Sequence, residues 1–135
     1  TNKVKKLMDM AAIATEPFPE TITNQQQQEG HHLARLAMVS LLAIFSDILP
    51  TYRIRLPTQE ELSVRVAKET KAVWDYEKHI LTHYQSYLKL LERTWELGHK
   101  TAGPLTLLAA TSMLCLCELL KSNMHFNFRS NVLQL

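Results

Sequence analysis

The chain is predicted to be all-α, on three observations. Its 135 residues hold only three glycines and five prolines, so few positions are forced into turns. Apolar residues recur every three or four positions through most of its length, the period of a buried helix face. No proline or glycine falls between Pro57 and Gly98, which leaves room for one helix of about 40 residues and about 60 Å. A helix of that length points to a bundle, a coiled-coil arm or a helical repeat.

The elements follow in chain order. In "NKVKKLMDMAAIA", Val4, Leu7, Met8 and Ala11 fall at helical spacing, which predicts a short amphipathic helix within residues 1–14. Residues 15–31, with two prolines, four consecutive glutamines and a glycine, read as a flexible, Gln-rich linker that sets this helix apart as an appendage. The main body is expected over 32–135. "HLARLAMVSLLAIFSDIL" (32–49) and "PLTLLAATSMLCLCELL" (104–120) are apolar nearly all the way round. Both are shorter than the ~20 apolar residues of a membrane span and carry ionisable residues, so they are expected to be central helices buried on several sides. The long helix starts at Thr58, where "TQEE" sets Glu61 three residues after a threonine, a capping-box pattern. Its second half offers Val73, Trp74, Ile80, Leu81, Tyr84, Tyr87, Leu88, Leu91 and Trp95 within an arc of roughly 140°. Its first half has only Leu62 and Val66 on that side, flanked by Arg65 and Glu69. That half is expected to project or to await a partner.

Charge excludes some functions and leaves others local. Lys plus Arg outnumber Asp plus Glu by only 15 to 13, so no global field draws the chain to nucleic acid or an anionic membrane. Cys115 and Cys117 are two apart on a helix, so their side chains diverge by roughly 200° and cannot bridge. Both are expected to be buried, inert thiols, in keeping with a reducing compartment. Asp75, His79 and His83 form a stripe four residues apart, but "HILTH" lacks the glutamate of a His-Glu-x-x-His zinc site and faces away from the core. No phosphate-binding loop, nucleophile elbow or paired-carboxylate site is visible. The sequence therefore predicts no enzyme, cofactor or small-molecule substrate. It has no initiator Met and no signal peptide, and its apolar pattern runs out at Leu135 without a stop, so a segment of a longer protein is expected.

Between two prolines lies "TYRIR", which folding alone does not explain. Tyr52 and Ile54 are expected to pack this loop down. Arg53 and Arg55 enter the long helix from the adjacent loop and are candidate partners for Glu77, which lies near the middle of the apolar arc. A buried carboxylate needs a partner, so one arginine is expected to turn inward to Glu77 and the other outward. The plainer alternative leaves Glu77 at the edge of a loosely packed face. Contact of the loop with RNA phosphates and a stacked base is a further reading. In "HFNFR", Phe126 and Phe128 are expected to plug a helix junction.

These words together resemble a known family. "IFSDILPTYRIRLPT", "KETKAVWDYE", "YQSYLKLLE", "LCELL" and "HFNFRSN" resemble, in order and spacing, the N-terminal region of the nucleolar complex-associated protein 3 family. The resemblance runs from Leu33 to Leu135, with no match before Leu33. The family's lysine-rich connection after the long helix is only "GHKTAGP" here. The resemblance implies an α-solenoid, HEAT-like helical repeat and a non-catalytic scaffold of nucleolus and nucleus. It implies action with nucleolar complex protein 2 and pre-60S particle proteins, with rRNA as a further contact, in maturation and transport of large ribosomal subunit precursors. A role in DNA replication initiation is also attached to the family. The residues expected to bind partners are Tyr52, Arg53, Ile54, Arg55, Leu62, Arg65, Val66 and Glu69. The rivals are a direct nucleic-acid-binding helical module and a plain bundle that dimerises.

Overall fold

The computed structural model describes residues 2–12, 21–100, 103–122 and 126. Five helices order these residues: α1 (Asn2–Ala12), α2 (Asn24–Ile48), α3 (Gln59–Ser63), α4 (Lys68–Lys100) and α5 (Pro104–Ser122). No strand occurs among the described residues. The all-α expectation therefore holds, with a long helix of 33 residues.

α2 begins eight residues earlier than the apolar pattern suggested. Thr23 caps it: its hydroxyl accepts from the Gln26 N–H at 3.4 Å, and the Gln26 side chain accepts from the Thr23 N–H at 3.0 Å. The glutamine run is thus the opening of a helix and not a linker, and the Gln25 amide donates to Glu29 one turn on. The helix stops at Ile48 because Leu49 precedes Pro50 and is pushed into the extended region (ψ 129°).

The 40-residue helix is in fact two. α3 is capped as expected by Thr58 and Glu61, but the chain turns extended at Val64 (φ −83°, ψ 140°) and re-enters a helix only at Lys68. Two local causes coincide. The Ser63 hydroxyl donates to the Glu60 carbonyl at 2.6 Å, competing with the helical ladder. Val64 and Val66 are β-branched and disfavour the helix, and both are exposed, so no packing overrules them.

α4 and α5 form an antiparallel hairpin. Gly103, at φ +118°, supplies the left-handed turn only glycine adopts without cost. Close to the turn, Gly98 lies against the Leu105 carbonyl and Ala109, where an added Cβ would overlap both. α2 packs along α5 in parallel: the Arg35 Nε donates to the Thr111 hydroxyl at 3.1 Å, and Met38 and Cys115 both meet the Tyr87 hydroxyl. α1 lies across α2 and α4 with Ala11 fully buried, so it is part of the body and not an appendage.

The core is centred on an aromatic group at the crossing of α2 and α4. Phe45 stacks on Tyr87 (centroids 5.1 Å apart) and tilts against Tyr84 (5.5 Å), and Phe126 meets the Tyr84 ring edge-on at 5.3 Å. The junction role expected of Phe126 thus has a geometry, while Phe128 lies outside the described residues. The Tyr87 hydroxyl donates to the Met38 carbonyl at 2.9 Å. Burial pushes the Tyr84 phenol up to about 12 and the Tyr87 phenol further still.

Two expectations of complete burial fail. α2 keeps Leu33, Leu36 and Val39 exposed, and α5 keeps Leu107 and Leu114 exposed. Among the described residues each helix turns one face to its neighbours and leaves another in solvent, so an all-round apolar sequence leaves apolar side chains exposed. By length and composition both could cross a membrane, but their inner faces are spent on the shared core. Cys115 is buried as expected. Cys117, rotated onto the outer face, is exposed.

Candidate docking surface

Of the residues expected to bind partners all but Ile54 are exposed, and Leu62, Arg65, Val66 and Glu69 lie where the body stops supporting the chain. α4 is about 50 Å long and α5, of 19 residues, about 28 Å. α5 therefore covers α4 only from Ile80 onward, the first buried residue of α4. The turns from Lys68 to His79 overhang, exposed except for half-buried Trp74 and Glu77. Val73, expected in the core stripe, is exposed on this overhang together with Tyr76. With Leu56, Leu62, Val64 and Val66 these residues leave six large apolar side chains open to solvent within residues 56–76. They follow one another closely along the chain, with charged residues between them.

The loop before α3 is tied to the overhang, though not by an arginine. The Tyr52 hydroxyl donates to Glu77 Oε1 at 2.9 Å, and this bond raises the phenol above its ordinary range. Ile54, only 4% exposed, anchors the middle of the loop in the core. Arg55 pairs with Glu61 at 2.8 Å, which holds the Glu61 carboxyl below the usual range, helped by the Thr58 N–H. The expected inward arginine does not exist: Arg53 and Arg55 are both exposed. A tyrosine reaches Glu77 because its hydroxyl bonds the carboxylate at the half-buried edge without bringing a charge out of water. Sequence reading missed this pair, 25 residues apart. The open acceptor on an apolar arc was its one legible sign.

The structure brings Tyr52 and Glu77 together, and joins Arg55 to Glu61 at the start of α3. Leu62, Arg65, Val66 and Glu69 line the connection from α3 into α4, all exposed. Basic residues Arg53, Arg55, Arg65, Lys68 and Lys71 alternate here with Glu60, Glu61, Glu69 and Asp75. The surface is therefore mixed in charge and apolar at intervals, a composition suited to protein more than to a phosphate backbone.

Comparison with known proteins bears on what this surface serves. A family model described as nucleolar complex-associated protein matches residues 1–87. The chain belongs to that family. It is 34% identical over 139 residues to the nucleolar complex protein 3 homolog of Danio rerio, covering 96% of this chain and 16% of that protein. It is 42% identical over 132 residues to nucleolar complex-associated protein 3 of Arabidopsis thaliana (96% and 13%). With the Homo sapiens nucleolar complex protein 3 homolog, identity is 32% over 143 residues (99% and 17%). The chain thus spans 13–17% of the length of these relatives. The match extends through residues 1–32, where the resemblance had been expected to fail. Membership makes this a nucleolar and nuclear protein with a nucleolar role.

Proposed function

We propose that this chain is part of a non-catalytic scaffold in ribosome biogenesis. It acts with nucleolar complex protein 2 in the maturation and intranuclear transport of large ribosomal subunit precursors. The observation that carries the reading is the unsupported end of α4: six large apolar side chains stand open between Leu56 and Tyr76, on a member of a family named for a complex. The docking residues are Tyr52, Arg53, Arg55, Leu62, Arg65, Val66 and Glu69, with Ile54 and Glu77 holding the loop in shape. Partners are protein first, nucleolar complex protein 2 and proteins of the large-subunit precursor, with rRNA contacted through Arg53 and Arg55 at most locally. The two remaining outer faces, on α2 and α5, suit stacking of further helices in a helical repeat.

The test is affinity purification of the full-length protein at moderate salt, with identification of co-purifying proteins and RNA. Leu62→Asp with Val66→Asp, exposed positions whose change leaves the core intact, is expected to lose nucleolar complex protein 2 and the large-subunit precursors. Undiminished recovery with this variant overturns the docking surface. Recovery of replication factors in place of ribosomal precursors overturns the function.

A further inference from the structure

We propose that Thr58 is a phosphorylation site for an arginine-directed protein kinase. The stretch "RIRLPT" sets Arg53 and Arg55 five and three residues before Thr58, the spacing that acid-lined kinase clefts read in an acceptor strand. Composition alone would make this a common coincidence. The structure adds that the stretch is open and mostly in water. Between Arg53 and Pro57 the chain lies outside any helix, and Thr51, Tyr52, Arg53, Arg55, Leu56 and Thr58 are all exposed. In an extended chain alternate side chains share a face. Drawn out in a kinase cleft, the two arginines, both exposed here, share the face opposite Ile54, which is buried here. At a rise of about 3.3 Å per residue, a chain extended in the cleft sets their Cα atoms about 10 and 17 Å from that of Thr58. The Arg55 side chain is 73% exposed despite its bond to Glu61, so both cations are available to a cleft. Seating the strand requires lifting Ile54, a local opening of a loop whose other side chains are mostly in water.

In the transfer, the Thr58 hydroxyl oxygen attacks the γ-phosphorus of a nucleoside triphosphate. The bond from that phosphorus to the β,γ-bridging oxygen breaks, the hydroxyl proton passes to the kinase's catalytic carboxylate, and the diphosphate leaves. The product redistributes the contacts around it. A phosphate carrying about −1.5 to −2 charges arrives next to Glu60 and Glu61, where Glu61 now holds both Arg55 at 2.8 Å and the Thr58 N–H at 2.9 Å. Arg55 transfers from Glu61 to the phosphate, the stronger acceptor, and Glu61 is repelled from its place in the capping box. Phosphorylation thus rewrites the junction between loop and α3. The proposal needs the exposure of this stretch and the release of Ile54, and stands whether or not the surface docks the partners named above.

The experiment treats the full-length protein with ATP and the catalytic domain of a kinase selective for arginine at these two positions, and maps phosphate by mass spectrometry. The tryptic peptide of residues 56–65 holds Thr58 and Ser63, which fragment ions distinguish. Phosphate is expected on Thr58, to be retained in Thr58→Ser, and to be absent in Thr58→Asn, which keeps a good cap and so the fold. Arg53→Ala and Arg55→Ala are each expected to lower kcat/KM by about tenfold or more, as lost charge pairs do. Phosphate confined to Ser63, or a Thr58 rate indifferent to both arginines, overturns the proposal. So does a Thr58 rate that falls only in Glu60→Gln and Glu61→Gln, the mark of an acid-directed kinase. The same phosphopeptide is expected from the protein isolated from cells with phosphatases inhibited, and its absence in both growing and starved cells overturns the site.

Discussion

A single hydroxyl separates Tyr52 from phenylalanine, and in this protein it holds a loop to a helix. Tyr52→Phe is expected to leave the melting temperature nearly unchanged while hydrogen exchange at residues 52–56 quickens, because only the bond to Glu77 is lost. Glu77→Gln, which retains an acceptor oxygen, is expected to behave like the native protein in the same measurement. Deeper in, Gly98 tests close packing. Alanine is the better helix former by up to ~1 kcal/mol, but its Cβ overlaps a backbone carbonyl that cannot swing aside. Gly98→Ala is therefore expected to lose about 1–3 kcal/mol in denaturant unfolding. Equal or greater stability would mean that α5 can move away. None of this was visible in "ELGHK", where a glycine before a turn reads as a helix end.

At the scale of elements, a capping residue decides where α2 begins. Thr23→Ala is expected to cost about 1 kcal/mol and to fray the glutamine run, seen as lost amide protection from Gln26 to Gln28. The signal was present in "TNQQ", a threonine followed three residues later by glutamine, yet composition overrode it: four glutamines read as low complexity. The same local rule holds at "TQEE", where composition does not oppose it. α5 was legible to the residue at its start because Gly103 and Pro104 punctuate it, and the stripe from Ile80 to Leu91 was legible because its period is regular. The break at residues 64–67 was not, since weak propensities lose in a packed helix and win in an exposed one, and exposure is a tertiary fact. Converting Val64 and Val66 to Ala is expected to raise helicity measured by circular dichroism, as α3 and α4 merge. For the candidate site, the sequence indicated the loop and its exposure. It could not indicate which residue answers Glu77, because that depends on how the loop folds back.

The whole molecule carries its own pH dependence. Tyr84 ionises near 10 when unfolded and at about 12 when folded, and Tyr87 is shifted in the same direction by burial. Raised folded values mean that the native state keeps these protons after the unfolded chain has released them. Their contribution is then complete below pH 10 and is lost as pH climbs toward 12. Thermal unfolding is expected to fall steeply over that window, and less steeply in Tyr84→Phe. The aromatic group has a mechanical consequence as well. The overhanging turns of α4 behave as a cantilever clamped at Tyr84 and Tyr87: a stiff rod in which a tilt of the clamp becomes a sideways sweep of the tip, growing with distance. Changes in core volume around Phe45 would thus be felt as misalignment at Val73 and Tyr76, surfaces that Phe45 never touches.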